Sequence, residues 1–280
     1  MPIDKKAARR AFDQAADTYD AAAVLQREIG QRLLHHLDPI RLAPRRILDL
    51  GTGTGWAIPF LQQRYPKAQI FALDFSPAML RRARKRGTWF RRPFCICGDV
   101  EALPLASNSM DLLFSNATFQ WCNDLLQVFR ECLRVLRSDG LLLFSTFGPD
   151  SLKELRTAWA QVDGYSHVSD FLDMHQVGDA LMGAGFAQPV LETEYLTLTY
   201  AGVQDLMRDL KALGTRNATA HRPRGLTGRK QMQRLIQAYE AYRTQGRLPA
   251  TYEVIYGHAW AAQSRPQPKG SCPVSVDLIR

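Results

Sequence analysis

Cysteine is sparse in this sequence, and long apolar segments are missing from it. The 280 residues include five cysteines, an odd number with no C-x-x-C pair, which argues against a disulfide scaffold and a cysteine zinc site. No apolar run approaches the roughly 20 residues that a membrane-spanning helix needs. Residues 1–6 lead into an amphipathic pattern rather than the apolar core of a signal peptide. We therefore predict a reduced, cytoplasmic protein.

Histidine is also scarce, and its six copies are scattered. His35 and His36 end a predicted helix, where their charge would favour the helix dipole. His167 and His175 are too isolated to indicate a metal site, and His258 is expected to be packed in a strand. We predict structural roles for these side chains and no bound metal.

The most informative motif is the segment RILDLGTGTG at 46–55. Gly51, Gly53 and Gly55 follow a predicted buried strand at alternate positions, and glycine allows positive φ and close approach of a ligand. The spacing differs from the dinucleotide-binding G-x-G-x-x-G because Trp56 occupies the sixth position, and no P-loop lysine follows. The motif therefore favours a nucleoside ligand without phosphates, whose amino-acid part lies over the glycines.

Acidic side chains close three successive predicted strands. Asp49 ends the first strand, and Asp74 ends the second, 23 residues after Gly51, where an open α/β sheet places a carboxylate for ribose hydroxyls. Asp99 follows the third strand and could accept a hydrogen bond from an adenine amino group, with Val100 beside the ring. One such acid alone is as often a turn cap. Three in order indicate a single ligand site.

Alternating strand and helix patterns predict an α/β fold, a doubly wound and mostly parallel seven-stranded sheet. The strands are expected near 46–50, 69–74, 94–97, 111–116, 140–147, 189–199 and 251–260, with a helical segment after each of the first four. We predict one domain over 1–262, with helices in 1–40, a core in 45–147 and a helical insertion in 201–247. The tail 263–280 is predicted to be disordered.

These motifs resemble those of known methyltransferases. Residues 45–147 resemble the class I S-adenosylmethionine-dependent methyltransferases, which have a Rossmann-like fold. Further segments resemble the malonyl-acyl-carrier-protein O-methyltransferases of biotin synthesis, namely FDQAADTYD at 12–20, LQR at 25–27, NATFQW at 116–121, FLDMH at 171–175, LKALGTRN at 210–217 and LPATYEVIYGHAW at 248–260. The glycine and acid motifs are common to the whole class, whereas the outer segments are specific to this family.

The resemblance implies S-adenosylmethionine as cofactor, S-adenosylhomocysteine as its product, and an N-terminal cover over the cofactor. It also implies methylation of the free carboxyl group of a malonyl unit on acyl carrier protein. The implied cofactor-binding residues are Gln26, Asp49, Gly51, Thr52, Gly53, Gly55, Asp74, Phe75, Met79, Asp99, Val100 and Asn116. Tyr19, Gln120 and Trp121 are the implied catalytic residues around the methyl-transfer channel, and Arg27, Arg216 and Arg222 are the candidates for orienting the acceptor carboxylate.

The segment after the fourth strand contains no evident base. An amine or phenol acceptor needs deprotonation, and the Asn/Asp-Pro-Pro-aromatic run of many exocyclic-amine methyltransferases is missing there. A carboxylate has an ordinary pKa of about 4 and is already ionised. The sequence therefore agrees with a carboxylate acceptor that needs only positioning.

The net charge of +9 leaves two partner classes open, because a basic surface attracts acidic macromolecules of several kinds. The basic run 81–86 is interpreted as a solvated helix face, and the stretch 208–234 as a docking surface for the acidic carrier protein. The alternatives are a methyltransferase of RNA or of another small carboxylic acid, and a cofactor-binding protein without activity. The intact strand-end acids and glycines argue against the last.

Overall fold

The computed structural model describes residues 2–87, 90–215, 217 and 228–262. The strands are β1 Arg46–Leu50, β2 Gln69–Asp74, β3 Phe94–Cys97, β4 Met110–Ser115, β5 Leu136–Phe147, β6 Phe186–Tyr200 and β7 Leu248–Ala261. The helices are α1 Lys5–Ala15, α2 Tyr19–Ala22, α3 Val24–His35, α4 Ile58–Arg64, α5 Pro77–Ala83, α6 Leu125–Val135, α7 Lys153–Ala160, α8 Met174–Ala184, α9 Val203–Ala212 and α10 Arg229–Glu240, with a 3₁₀ turn at Phe119–Trp121.

The seven strands of the described residues form one sheet in the order β3-β2-β1-β4-β5-β7-β6. Strands β1 to β5 pair in parallel, whereas β7 runs antiparallel between β5 and β6. The strand order reverses at β1, which lies between β2 and β4. The predicted fold class, a doubly wound and mostly parallel seven-stranded sheet, is confirmed.

Apolar side chains on both faces of the sheet hold the helices against it. In β1, Ile47 belongs to the core on one face, and Leu48 and Leu50 belong to the core on the other. Such burial on both faces is typical of parallel strands. Helix α3 lies over the first face, and α6 over the second, because each has apolar residues spaced three or four apart.

Local signals begin and end the helices next to the strand ends. Ser76 caps α5, accepting a hydrogen bond from the Met79 amide at 3.2 Å, and Pro77 occupies the first helical position. Helix α8 starts with a capping box at Asp173 and ends at Gly185, whose φ is 97°.

Three expectations about the elements are wrong. No helix follows β3, because Gly98, an Asx turn at Asp99 and Pro104 hold the described chain in turns. Strand β5 starts four residues before Gly140, and its pairing with β4 skips from Leu136 to Leu141 around the 139–140 turn. Helix α7 follows β5 where no helix is predicted.

Helices α9 and α10 fall within the predicted insertion 201–247, and the basic loop between them lies mostly outside the described residues. The tail 263–280 lies wholly outside them. Across the described ranges, every helix is too short or too polar to cross a bilayer.

Candidate active site

A long cavity opens at the carboxyl ends of β1, β2 and β4, where the strand order reverses. Ligands of open α/β sheets bind at such a position. Many of the predicted site residues line this cavity, namely Tyr19, Gln26, Gly51, Gly53, Asp74, Phe75, Met79, Asp99, Val100, Asn116, Gln120 and Trp121. A second cavity on the other side of the glycine loop is lined by Asp49, Thr52 and Arg27, and it shares Tyr19, Gln26, Gly51, Gly53 and Asn116 with the first.

The glycine loop has the backbone that its sequence predicts. Gly51, Gly53 and Gly55 all have positive φ, at 66°, 55° and 80°. A Cβ at Gly51 would collide with the Thr118 side chain, and one at Gly55 would lie 2.8 Å from the Ala83 backbone. A Cβ at Gly53 would meet only the Tyr19 ring, at 4.0 Å. Gly51 and Gly55 therefore serve packing, whereas Gly53 leaves its backbone open to a ligand.

Two buried carboxylates flank this loop. Asp49 accepts a hydrogen bond from the Thr52 hydroxyl at 2.6 Å, and Asp74 accepts from the amides of Gly53 at 2.9 Å and Ser76 at 2.8 Å. Burial raises the pKa of Asp49 to about 7 and that of Asp74 to about 6, despite these hydrogen bonds. Both groups are therefore suited to polar donors of a ligand.

Asp99 is more heavily engaged than its sequence position predicts. Its Oδ1 accepts from the Glu101 amide at 3.0 Å, and its Oδ2 accepts from Lys5 Nζ at 2.5 Å. Lys5 also binds Glu101, and desolvation opposes the rise in its pKa that the two carboxylates cause. Sequence reasoning missed Lys5, which lies 94 residues from Asp99 and reaches the cavity from α1.

The N-terminal helices close one side of the cavity. The Asn116 side chain donates to the Gln26 carbonyl at 2.8 Å, which fixes the start of α3 against the end of β4. The side-chain Oε1 of Gln26 is buried and has no hydrogen-bond partner among the described residues. A buried acceptor without a donor is costly, so this oxygen marks a place for a donor from a ligand.

The 3₁₀ turn after β4 places the remaining predicted catalytic residues. Gln120 donates from Nε2 to the Ala117 carbonyl at 2.7 Å, and its Oε1 lies 3.4 Å from the Thr146 hydroxyl. The Trp121 ring packs edge-on against Phe12 of α1, with centroids 5.1 Å apart. Both side chains therefore form fixed walls of the cavity.

Tyr19 lies at the junction of the two cavities with its phenol in a strongly negative setting. Burial, and then the carboxylates of Asp74 and Asp20, raise the pKa of the Tyr19 phenol well above its ordinary value. The phenol therefore keeps its proton at neutral pH. It can donate a hydrogen bond to a ligand, but it is not a base.

The far half of the main cavity is mostly apolar. Its walls come from β5, α7, the 161–173 loop, α9 and β7, and they include Phe147, Leu152, Leu155, Val168, Phe171, Leu210, Leu213 and Tyr252. His167 lies among them, although its sequence position predicts only a structural role. No cluster of three metal-ligating side chains occurs within the described ranges.

Of the three predicted carboxylate-orienting arginines, Arg27 falls within the described residues. Arg27 lines the second cavity, and its guanidinium donates to the Asp20 carbonyl. Arg216 and Arg222 lie outside the described residues. Their roles therefore remain predictions.

Comparison with known proteins gives a consistent result. Residues 48–144 match a family model described as a methyltransferase domain. The malonyl-[acyl-carrier protein] O-methyltransferase of Gallionella capsiferriformans is 52% identical, over 99% of this chain and 97% of that protein. The enzyme of the same name from Laribacter hongkongensis is 53% identical, over 95% and 92%.

A solved structure supports the fold alone. A candidate methyltransferase of Bacillus halodurans is similar with a TM-score of 0.59 at 18% identity, over 82% of this chain and 99% of that one. The similarity to the curated relatives, in contrast, extends over nearly the whole of both chains. The chain is therefore a methyltransferase and belongs to the malonyl-[acyl-carrier protein] O-methyltransferase family.

Proposed function

We propose that this protein transfers a methyl group from S-adenosylmethionine to the free carboxylate of a malonyl unit carried by acyl carrier protein. The observation that carries the proposal is one continuous cavity with two unlike ends. One end has the glycine loop and strand-end acids, and the other is apolar. The resulting methyl ester would hide the charged end of the malonyl unit, so that fatty-acid enzymes could elongate it toward the pimeloyl chain of biotin.

The residues at the first end fit S-adenosylmethionine. Asp74 has acceptor capacity for the two ribose hydroxyls, and Val100 offers an apolar surface for adenine beside Asp99. The open backbone of Gly53 and the orphan Oε1 of Gln26 suit the amino-acid part, whose ammonium group is a donor. When bound, this cofactor supplies an electrophilic methyl group on a sulfonium. The protein holds the acceptor in line with that methyl group and keeps water out.

The groups around the expected transfer point favour an acceptor that is already ionised. Tyr19 retains its proton, and neither Gln120 nor Trp121 can act as a base at neutral pH. An amine or phenol would need such a base. A malonyl carboxylate has no proton to lose at neutral pH, so positioning is sufficient.

The acidic carrier protein is proposed to dock on the basic surface of α9 and α10. The exposed cations of this surface are Arg208, Lys211, Arg229, Lys230 and Arg234, of which Arg208 is paired with Asp205 at 2.8 Å. Leu210 and Leu213 of the same segment line the apolar half of the cavity. Docking there would therefore hold the carrier beside the cavity entrance, where a flexible arm bearing the malonyl group can enter.

A methyl-transfer assay tests this function. S-adenosylmethionine with a labelled methyl group is offered with malonyl-acyl carrier protein, malonyl-coenzyme A, free malonate or bulk RNA. We expect label on the malonyl carrier that mild alkali releases, as from an ester. Label on RNA alone, or no label on any malonyl thioester with protein that binds the cofactor, would refute the proposal.

A further inference from the structure

The 161–173 loop places a histidine in the apolar half of the cavity, where two neighbouring side chains hold its ring. His167 Nε2 lies 2.9 Å from Asp163 Oδ1, and the His167 ring stacks on the indole of Trp159 with centroids 3.6 Å apart and planes 5° apart. Trp159 is buried, and the side chains of His167 and Asp163 are 12% and 14% exposed. The ring is thus held on one edge and one face.

Other residues of the 161–173 loop are also held by hydrogen bonds. The Arg156 guanidinium donates to the carbonyls of Ser151 and Ser169, both at 3.3 Å, and the Asn217 amide donates to the Ser166 carbonyl. These contacts tie the loop to the end of β5, to α7 and to the end of α9. The position of the histidine is therefore set before any acceptor enters, which lowers the entropic cost of binding.

The geometry determines which nitrogen of His167 can face a ligand. A carboxylate only accepts, so Nε2 carries the hydrogen that it shares with Asp163. No described residue forms a hydrogen bond to Nδ1, and His167 lines the cavity. Nδ1 is therefore the edge of the ring that remains for a bound molecule.

Charge distinguishes this histidine from the rest of the cavity wall. Among the described lining residues, only Lys5 and His167 can carry a positive charge. Lys5 is already bound by Asp99 and Glu101 at the adenine end. A carboxylate that enters an apolar space without a donor loses its hydration uncompensated.

We propose that His167 binds the carboxylate of the acceptor, an inference that rests on the proposed function. In the complex His167 takes up a second proton from solvent, so that Nε2–H donates to Asp163 and Nδ1–H donates to one carboxylate oxygen. The other oxygen remains available to attack the methyl group. His167 is then a specificity-determining residue that distinguishes a malonyl from an acetyl thioester, and it removes no proton from the acceptor.

The main test is His167→Phe, which keeps a flat ring against Trp159 and removes both nitrogens. We expect the KM for malonyl-acyl carrier protein to rise about 10- to 100-fold, the value of a hydrogen bond to a charged group. The kcat should stay within about threefold, and the Kd for S-adenosylmethionine should not change. The matched control is His175→Phe on the exposed side of α8, which should leave all three unchanged.

Acetyl-acyl carrier protein shows which group the histidine recognises. As an inhibitor without a carboxylate, it should bind wild type and His167→Phe equally. His167→Gln retains one donor and should give an intermediate KM, which separates recognition from loss of folding. The inference is overturned if the KM is unchanged, if malonyl and acetyl carriers weaken equally, or if only kcat falls.

A failure of the proposed function would be recognised separately. In that case wild type methylates no malonyl carrier. Wild type and His167→Phe are then compared by their equilibrium binding of malonyl- and acetyl-acyl carrier protein. A preference of wild type for malonyl over acetyl carrier that His167→Phe abolishes would still support the role of His167. Equal binding of both carriers to wild type would overturn it.

Discussion

Replacing Gly53 with alanine should weaken cofactor binding while the protein remains folded. Gly53 has a φ of 55°, and the added Cβ would meet no protein atom closer than the Tyr19 ring at 4.0 Å. The free energy of unfolding therefore falls only by the backbone cost of a left-handed non-glycine residue, about 1–2 kcal/mol. That is a fall in Tm of about 2–8 °C.

The same methyl group points into the space proposed for the amino-acid part of S-adenosylmethionine. Overpacking of a fitted site costs about 1–3 kcal/mol, which is about a 5- to 150-fold rise in Kd. Isothermal titration with S-adenosylmethionine measures the Kd, and thermal unfolding without ligand measures the Tm.

Gly246 provides a matched control. It has a φ of 76° in the turn before β7, and a Cβ there would meet nothing within 4 Å. Gly246→Ala should lower the Tm by a similar amount and leave the Kd unchanged. Binding by Gly53→Ala as tight as that of wild type, or equal weakening by Gly246→Ala, would refute the placement of the cofactor over Gly53.

Three further predictions follow from the charges of the site and its surroundings. Tyr19→Phe should change kcat less than tenfold and leave the pH–rate profile unaltered, since the phenol stays protonated; a new pH dependence would contradict this. Lys211→Glu combined with Lys230→Glu should raise the KM for the malonyl carrier about threefold to thirtyfold and leave the Kd for S-adenosylmethionine unchanged. The control Arg45→Glu, at the opposite end of β1, should change neither the KM nor the Kd. Burial raises the pKa of Asp49 to about 7, so the folded state binds an extra proton between about pH 4 and 7, and the stability of the ligand-free protein falls as pH rises through that window. Asp49→Asn should therefore make the difference in Tm between pH 5 and pH 8 smaller. An unchanged difference would contradict the raised pKa of Asp49.

The fold and the family could be predicted because their signals are local. Each of these signals depends on the backbone geometry of a few neighbouring residues. They are the glycine loop, the acids at the ends of β1 and β2, and the apolar strands. The predicted family and fold class are confirmed, while the individual roles of the site residues remain predictions. The errors in the elements have different causes: an Asx turn at Asp99 replaces a helix, β5 starts early through an irregular pairing with β4, and α7 begins without a side-chain cap.

The missed residues reach the cavity from distant segments. Lys5 contacts Asp99 across 94 positions of the chain, and His167 gains its setting from α7 and its own loop. In the sequence Lys5 is one of several charged residues near the start of the chain, and His167 is an isolated histidine. Trp159, Asp163 and His167 are spaced four residues apart, which would bring them together on a helix, although α7 ends at Ala160 and they meet through a loop. This spacing is the one sequence signal that could have directed attention to the loop.

The basic run 81–86 is only partly the solvated face that its composition predicts. Arg82 pairs with Asp17, and Arg86 pairs with Asp20 at 2.5 Å, so α5 holds the segment that connects α1 to α3 over the cavity. Each pair is partly exposed and contributes about 1 kcal/mol or less. These two screened pairs supplement the apolar cluster in which Phe12 of α1 packs against Met79 of α5 and Trp121, so most of the attraction that holds the cover comes from apolar contact.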